Sequence, residues 1–387
     1  MSIYDFALKQ HVEWKGKIEV TSKSKLSNKE ELSLAYTPGV AQPCIEIAKS
    51  PEAVYDYTWK GNSVAVVTDG TAVLGLGNIG PEAALPVMEG KCALFKVFAD
   101  IDAVPICLDT TDPKEIISII KAIAPGFGGI NLEDISAPRC VEIERTLIKE
   151  LNIPVFHDDQ HGTAIVVLAA LLNACKLVNK EFENLNVVIS GTGAAGSSII
   201  KLLHSVGVIN ITAFNVNGIL VKEDFIHYNS LEKELCEIVN TKNLRISMQE
   251  ALVGADVFIG VSAPKLLSVE AVKKMAKDAI VFALANPEPE ISYEDAKIAN
   301  ARVVCTGRSD FPNQVNNVLV FPGLFKGALK SRSKTISEAM KIAAAHALAS
   351  LIRADELSED NIIPSVFDSR VATTIADAVA MVALLHD

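Results

Sequence analysis

From Ser63 onward, short apolar runs alternate with longer stretches that carry their apolar residues at helical spacing. Val64–Thr68, Ala103–Leu108, Gly128–Leu132 and Ile153–Phe156 are continuous apolar runs of strand length, the pattern of strands buried on both faces. Between them, Pro81–Phe98 and Pro113–Ile123 open on Pro at the first turn, where its missing N–H costs nothing. Helices at about Pro138–Glu150 and Gly162–Val178 follow the other two runs. This strand–helix alternation predicts a parallel sheet. The polar segment Asn179–Asn184 marks the approach to a second sheet. There Leu185–Ser190, Ile211–Phe214, Val257–Val261, Ile280–Ala285 and Arg302–Thr306 read as strands and Ser197–Val206 as a helix. The tail, Ser337–Leu351 and Ser369–Leu385, is helical and alanine-rich, whereas residues 1–62 look irregular with helical pieces. The expectation is an α/β chain of two domains, each a mostly parallel sheet flanked by helices, divided at 1–160 and 161–387. The second is a Rossmann-type dinucleotide-binding domain.

Composition narrows the function classes. The chain has 387 residues and is 49% hydrophobic, enough for two cores. Its net charge of −11 argues against nucleic acid or an anionic membrane as partner. A small anionic substrate is still compatible, because a local cation can invert the local field. Seven scattered Cys with no C-x-x-C pair suggest free thiols in a reducing cytoplasm. Asp5, Lys9, Glu13 and Lys15 break up the N-terminus, so no signal peptide is expected, and Ala164–Leu172 is too short to span a bilayer.

The chemistry lies at strand ends. Gly191-Thr192-Gly193-Ala194-Ala195-Gly196 fits G-x-G-x-x-G between a strand and a helix, where backbone N–H groups can meet a pyrophosphate. The acid expected at the end of the next strand is absent: Ile211–Phe214 is followed by Asn215, which can hydrogen-bond a ribose hydroxyl without repelling a 2′-phosphate. The nearest cation in sequence is Lys222. Both NAD and NADP are therefore expected to work, within roughly 100-fold of each other. Two acidic pairs, Glu133-Asp134 and Asp158-Asp159, each close a strand of the first sheet. Any one of these acids could be a helix N-cap or first-turn residue. Four carboxylates at one sheet edge favour a divalent cation with oxygen ligands, Mg2+ or Mn2+. His157 and His161 bracket the second pair and read as supporting or structural groups. Lys91 lies in an apolar helix, where burial can turn a lysine into a base. Asn286-Pro287 and Asn316-Asn317 add neutral amides near the same crevice. A metal beside a nicotinamide site suggests hydroxy-acid oxidation. Another metal-using hydroxy-acid dehydrogenase and a nucleotide-sensing protein would share parts of this set.

Taken together, Ala35–Val40, Asp69-Gly70-Thr71, Leu74–Ala83, Glu89-Gly90-Lys91, Leu132–Ile135, Phe156–Thr163, Asn286-Pro287 and Asn316-Asn317 resemble malic enzyme, most of all its small bacterial form. The resemblance covers nearly the whole chain. It implies a malic domain followed by an NAD(P) domain, oxidative decarboxylation of (S)-malate to pyruvate and CO2, and a homodimer. It implies Tyr36 as proton donor, Lys91 as general base with Asp158 beside it, and Glu133, Asp134 and Asp159 as metal ligands. Asn286 and Asn317 would contact cofactor and malate. Larger members carry a malate-gripping arginine where this chain has Ala72, a role that would pass to another cation such as Lys96. The C-terminal phosphotransacetylase-like extension that some bacterial members carry is not expected here.

Overall fold

The structure, a computed structural model, describes residues 3–386. Its first part begins with four helices, α1 (Ile3–Trp14), α2 (Lys29–Ala35), α3 (Ala41–Lys49) and α4 (Val54–Tyr57), none of which buries a residue. A four-stranded sheet follows: β1 (Ser63–Thr68), β2 (Asp102–Cys107), β3 (Gly129–Leu132) and β4 (Val155–His157), ordered β2-β1-β3-β4 and parallel throughout. Its crossovers are α5 (Pro81–Ala99), α6 (Pro113–Ile123) and α7 (Arg139–Glu150). Strands and helices fall where the apolar runs put them, to within a few residues. One boundary shifts with consequence. α8 runs Asp158–Val178, so it begins at the second acidic pair rather than at Gly162. Both acids are first-turn residues, where the helix dipole favours negative charge.

The second sheet holds β5 (Asn186–Ser190), β6 (Asn210–Asn215), β7 (Gly218–Ile219), β8 (Val257–Gly260), β9 (Ile280–Ala283) and β10 (Val303–Thr306), ordered β10-β9-β8-β5-β6-β7. Only β7 runs antiparallel, folding back on the end of β6. The order reverses beside β5, the switch point at which doubly wound sheets bind ligands. From β5 the chain enters α9 (Ala194–Ser205) through the glycine loop. Short helices α10 (Ser230–Leu235), α11 (Met248–Ala251), α12 (Val269–Val272) and α13 (Tyr293–Ile298) connect the later strands. α14 (Phe321–Lys330), α15 (Glu338–Ser350) and α16 (Arg370–His386) close the chain.

One apolar cluster joins the two halves. It runs from Val64 and Phe95 through α8 to Val187, Ile259 and the closing helices. By length and apolar content α8 could cross a bilayer, but most of it is buried in this core. Phe95, Phe156, Phe321 and Phe325 meet edge to face at its centre, with ring centroids 4.7–5.9 Å apart. α14 follows the apolar run Val318–Phe321 and opens with Pro322 in its first turn.

Candidate active site

Strand register alone brings the two acidic pairs together. Leu132 on β3 pairs with His157 on β4. Glu133 and Asp158, the next residue on each, therefore leave the sheet side by side at its carboxyl edge. Lys91 reaches them from α5. Ala84, Met88, Lys91 and Phe95 form one buried stripe of that helix, with Lys91 the only charge on it. Its ammonium lies 2.6 Å from Asp158 Oδ2 and 2.8 Å from Glu133 Oε1, and sits 4.2 Å above the Phe321 ring. Lys91 and Glu133 are nearly inaccessible and Asp158 wholly so. The far oxygen of Glu133 accepts from Asn131 Nδ2 at 2.9 Å.

On the other side of Glu133, Asp134 adopts φ +54°, a left-handed conformation that Asp tolerates better than most residues. Its N–H donates to Asp159 Oδ2 at 2.8 Å, and its carbonyl accepts from Ala72 N at 2.9 Å. Glu133, Asp134 and Asp159 each present one oxygen, all within 4.8 Å of one another. Asp134 Oδ2 is buried without a hydrogen-bond partner. Such an oxygen costs free energy unless something fills its coordination. A hard divalent cation fits three converging carboxylates, so the residues present suit Mg2+ or Mn2+.

Electrostatics point the same way. Burial, reinforced by the Asp159 charge, pushes the Asp134 carboxyl up to about 7. Burial also raises Glu133 well above the usual carboxylate range, against the pull of Lys91. Burial drives Lys91 toward the neutral amine, but Asp158, Glu133 and Asp159 outweigh it and hold the ammonium charged. The 2.6 Å contact assigns the ion pair to Lys91 and Asp158. Surplus negative charge then rests on Glu133, Asp134 and Asp159, the set a cation would relieve.

Two further residues border this cluster. A Cβ on Gly162 would run into the Asp158 carboxylate and into Asn317, so only glycine lets these groups close over the first turn of α8. Asn286 belongs to the loop after β9, and a Cβ on Gly75 would touch its carbonyl, so the Leu74–Leu76 turn packs against the second sheet at the mouth of the crevice. The glycine loop lies at the end of β5. Gly191 has φ +110°, and a Cβ on Gly196 would strike the Gly191 carbonyl, so both positions require glycine. Thr192, Gly193, Ala194 and Ala195 complete the turn into α9, with Asn215 facing them from the end of β6.

Two expectations fare differently. Lys96 is half-exposed and bound to Asp100 and Asp102, at 2.5 and 3.0 Å, so it does not replace the missing arginine. It lies off the Lys91 stripe, around α5 from Phe95. Tyr36, the C-cap of α2, is exposed and makes no hydrogen bond or ring contact with Lys91 among the described residues.

Glu144 was not foreseen. From α7 its carboxylate accepts from His157 N (2.8 Å), Gln160 Nε2 (3.3 Å) and the His161 ring (2.9 Å). It thereby clamps the β4–α8 junction that carries Asp158 and Asp159. The other His161 nitrogen meets Ser198 Oγ at 2.9 Å and Lys341 Nζ at 3.0 Å. Burial opposes ionisation of Glu144, yet its carboxyl is pulled down to about 2 by His161, Lys341 and His157. Burial lowers the pKa of both His161 and Lys341, so the His161 hydrogen bond is the contact that carries this effect most directly. A glutamate at helical spacing among the apolar residues Cys140 and Leu147 of α7 was the only sequence signal.

Residues 15–148 match the family model for the malic enzyme N-terminal domain, and residues 160–384 that for the malic enzyme NAD-binding domain. An NAD-dependent malic enzyme of Geobacillus stearothermophilus is 58% identical over 94% of this chain and 76% of its own. A bifunctional malic/malolactic enzyme of Bacillus subtilis is 56% identical over 99% and 94%. The crystal structure of an NAD-dependent malic enzyme from Thermotoga maritima superposes with a TM-score of 0.93 at 51% identity, over 97% of this chain and 98% of the other. With both family models matched across nearly its whole length and relatives this similar, the chain belongs to the malic enzyme family.

Proposed function

We propose that this chain oxidises (S)-malate to pyruvate and CO2 with reduction of NAD(P)+, in the crevice between the two sheets. The observation that carries the reading is one buried cation, Lys91, held between Asp158 and Glu133 beside three converging carboxylates. Residues 1–160 form the malate and metal part, and 161–387 the NAD(P) part. Glu133, Asp134 and Asp159 hold the divalent cation; Gly191–Gly196, with Asn286 and Asn317, receive the cofactor and malate. When bound, the cation supplies a Lewis acid for decarboxylation and the nicotinamide supplies the hydride acceptor.

The chain's own groups manage protons. A divalent cation on Glu133, Asp134 and Asp159 would offset the negative charge that holds Lys91 protonated; the neutral amine then takes the C2 hydroxyl proton during oxidation, and Asp158 orients it and stabilises the ammonium that results. Tyr36 returns a proton to C3 of the enol product. Because Tyr36 is exposed and makes no contact with the Lys91 cluster among the described residues, we assign it to the crevice of a second copy. The N-terminal helices favour this, since they expose Tyr4, Leu8, Val12 and Leu34. The assembly is a homodimer, and the free thiols suit a reducing cytoplasm.

Lys91→Ala should lower kcat by roughly the 10²–10⁴-fold of a general acid–base group. Mixing Lys91→Ala and Tyr36→Phe chains under subunit exchange should restore activity that neither has alone. No recovery, or a fully active monomer by light scattering, would remove Tyr36 from the shared site.

A further inference from the structure

The cofactor crevice is a cavity of about 820 Å³, bounded by the glycine loop, the end of β6, the start of α10 and the loop after β8. Among the residues lining it, Glu232 is the only one that carries a charge. It comes from the first turn of α10, seventeen residues beyond Asn215 in sequence. Its Oε1 accepts from Asn215 Nδ2 at 2.8 Å and from Thr192 Oγ1 at 3.2 Å. One carboxylate oxygen therefore bridges the end of β6 and the second residue of the glycine loop. In a dinucleotide fold the adenosine ribose lies between these two elements.

Glu232 is fixed rather than free. Its Oε2 accepts from Asn229 N at 3.2 Å, while Asn229 Oδ1 accepts from the Glu232 and Leu231 amides in a reciprocal capping box. Asn215 is fixed as well: its Oδ1 accepts from Asn217 N at 2.8 Å, so it turns its NH2 to the glutamate. The acceptor facing the ribose is the carboxylate, not the amide. Nearby cations are occupied elsewhere. Lys222 pairs with Glu237, Arg145 and Lys201 pair with Glu234, and Lys233 lies over the Phe225 ring.

We propose that Glu232 sets the cofactor preference of this chain: it accepts a hydrogen bond from the adenosine ribose diol and repels a 2′-phosphate, making the enzyme selective for NAD. Asn215 and Thr192 are positioning residues that aim the carboxylate. The proposal rests on the reading of Gly191–Gly196 as the pyrophosphate loop, and it replaces the loose selectivity expected from Asn215 alone.

The test is equilibrium binding of NADH and NADPH by fluorescence titration, with ADP-ribose and its 2′-phosphate by calorimetry, alongside kcat/KM for both cofactors. Wild type should favour the unphosphorylated member of each pair by about 100-fold or more, equivalent to about 2.7 kcal/mol at 1.36 per decade. Glu232→Gln keeps an acceptor for the capping box and should bring the ratio within about 10-fold, mainly by tightening NADPH. Asn215→Asp would set a second carboxylate against the first and should weaken both ligands without raising NAD preference. Equal wild-type affinity for the two members, or an unchanged ratio in Glu232→Gln, overturns the role of Glu232. Absence of binding by both ADP-ribose forms overturns the loop reading and this proposal together.

Discussion

Replacing Asp134 by Asn tests the metal cluster without any turnover. Asn keeps the size of the side chain, tolerates the left-handed backbone and retains an oxygen for the Leu74 amide that Asp134 accepts from. It removes one negative charge. In the metal-free protein the Asp134 carboxyl rises from 3.8 to about 7. Below the lower value both folded and unfolded chains hold the proton, and the group does not alter stability. Above it the unfolded chain releases the proton first, so stability is lost as pH rises through about 7. Between about pH 5.5 and pH 8 the loss from this group is about 2 kcal/mol at 1.36 per decade. At roughly 2 °C per kcal/mol for a chain of this size, that is about 4 °C in Tm. Thermal melts in EDTA should therefore show wild type losing about 4 °C more than Asp134→Asn over this range. Mn2+ should restore wild type most at the higher pH and leave the variant nearly unchanged. Parallel pH profiles for the two proteins, or equal stabilisation of both by Mn2+, would refute the electrostatic reasoning.

Gly162→Ala should drive a methyl group into the Asp158 carboxylate; a fall in kcat with the fold retained by circular dichroism checks this, and full activity would show that the first turn of α8 yields. Glu144 titrates at about 2 rather than 4.5. Its contribution is thus present above the higher value and lost as pH falls through the lower, roughly 3 kcal/mol by linkage. Glu144→Gln should be less stable than wild type at neutral pH and show a shallower loss on acid titration by circular dichroism; coincident acid transitions would contradict the clamp.

The readable parts of the fold were those governed by local rules. Apolar runs of strand length gave every strand except β7, which is two residues long and depends on β6 for its partner. Pro81 and Pro113 marked the starts of α5 and α6 because a first-turn proline loses no hydrogen bond. The acidic pairs were legible because parallel register carries neighbouring strand ends to one edge. Groups brought in by tertiary contact were not legible. Glu232 stands seventeen residues in sequence beyond the strand end where an acid is sought, and a capping box looks the same whether or not it borders a cofactor cavity. Glu144 resembles any charge on an amphipathic helix until His157, Gln160 and His161 are seen around it. Lys96 failed as a substitute arginine for a geometric reason: it follows Lys91 by five residues, which places it well around the helix, outside the buried stripe. The role proposed for Tyr36 calls on a second chain, which no single-chain pattern encodes.

The most direct measurement follows the carbon that is lost. Malate labelled with 13C in its β-carboxylate is turned over with NAD+ and Mn2+ or Mg2+, and 13CO2, pyruvate and NADH are quantified together, with and without EDTA. Residues that pair a hydroxyl-directed base with a divalent-cation cluster should release one 13CO2 and one pyruvate for each NADH, and none of the three after chelation. NADH formed with the label retained in a four-carbon keto acid, or turnover that survives exhaustive EDTA treatment, would contradict metal-dependent decarboxylation at this site.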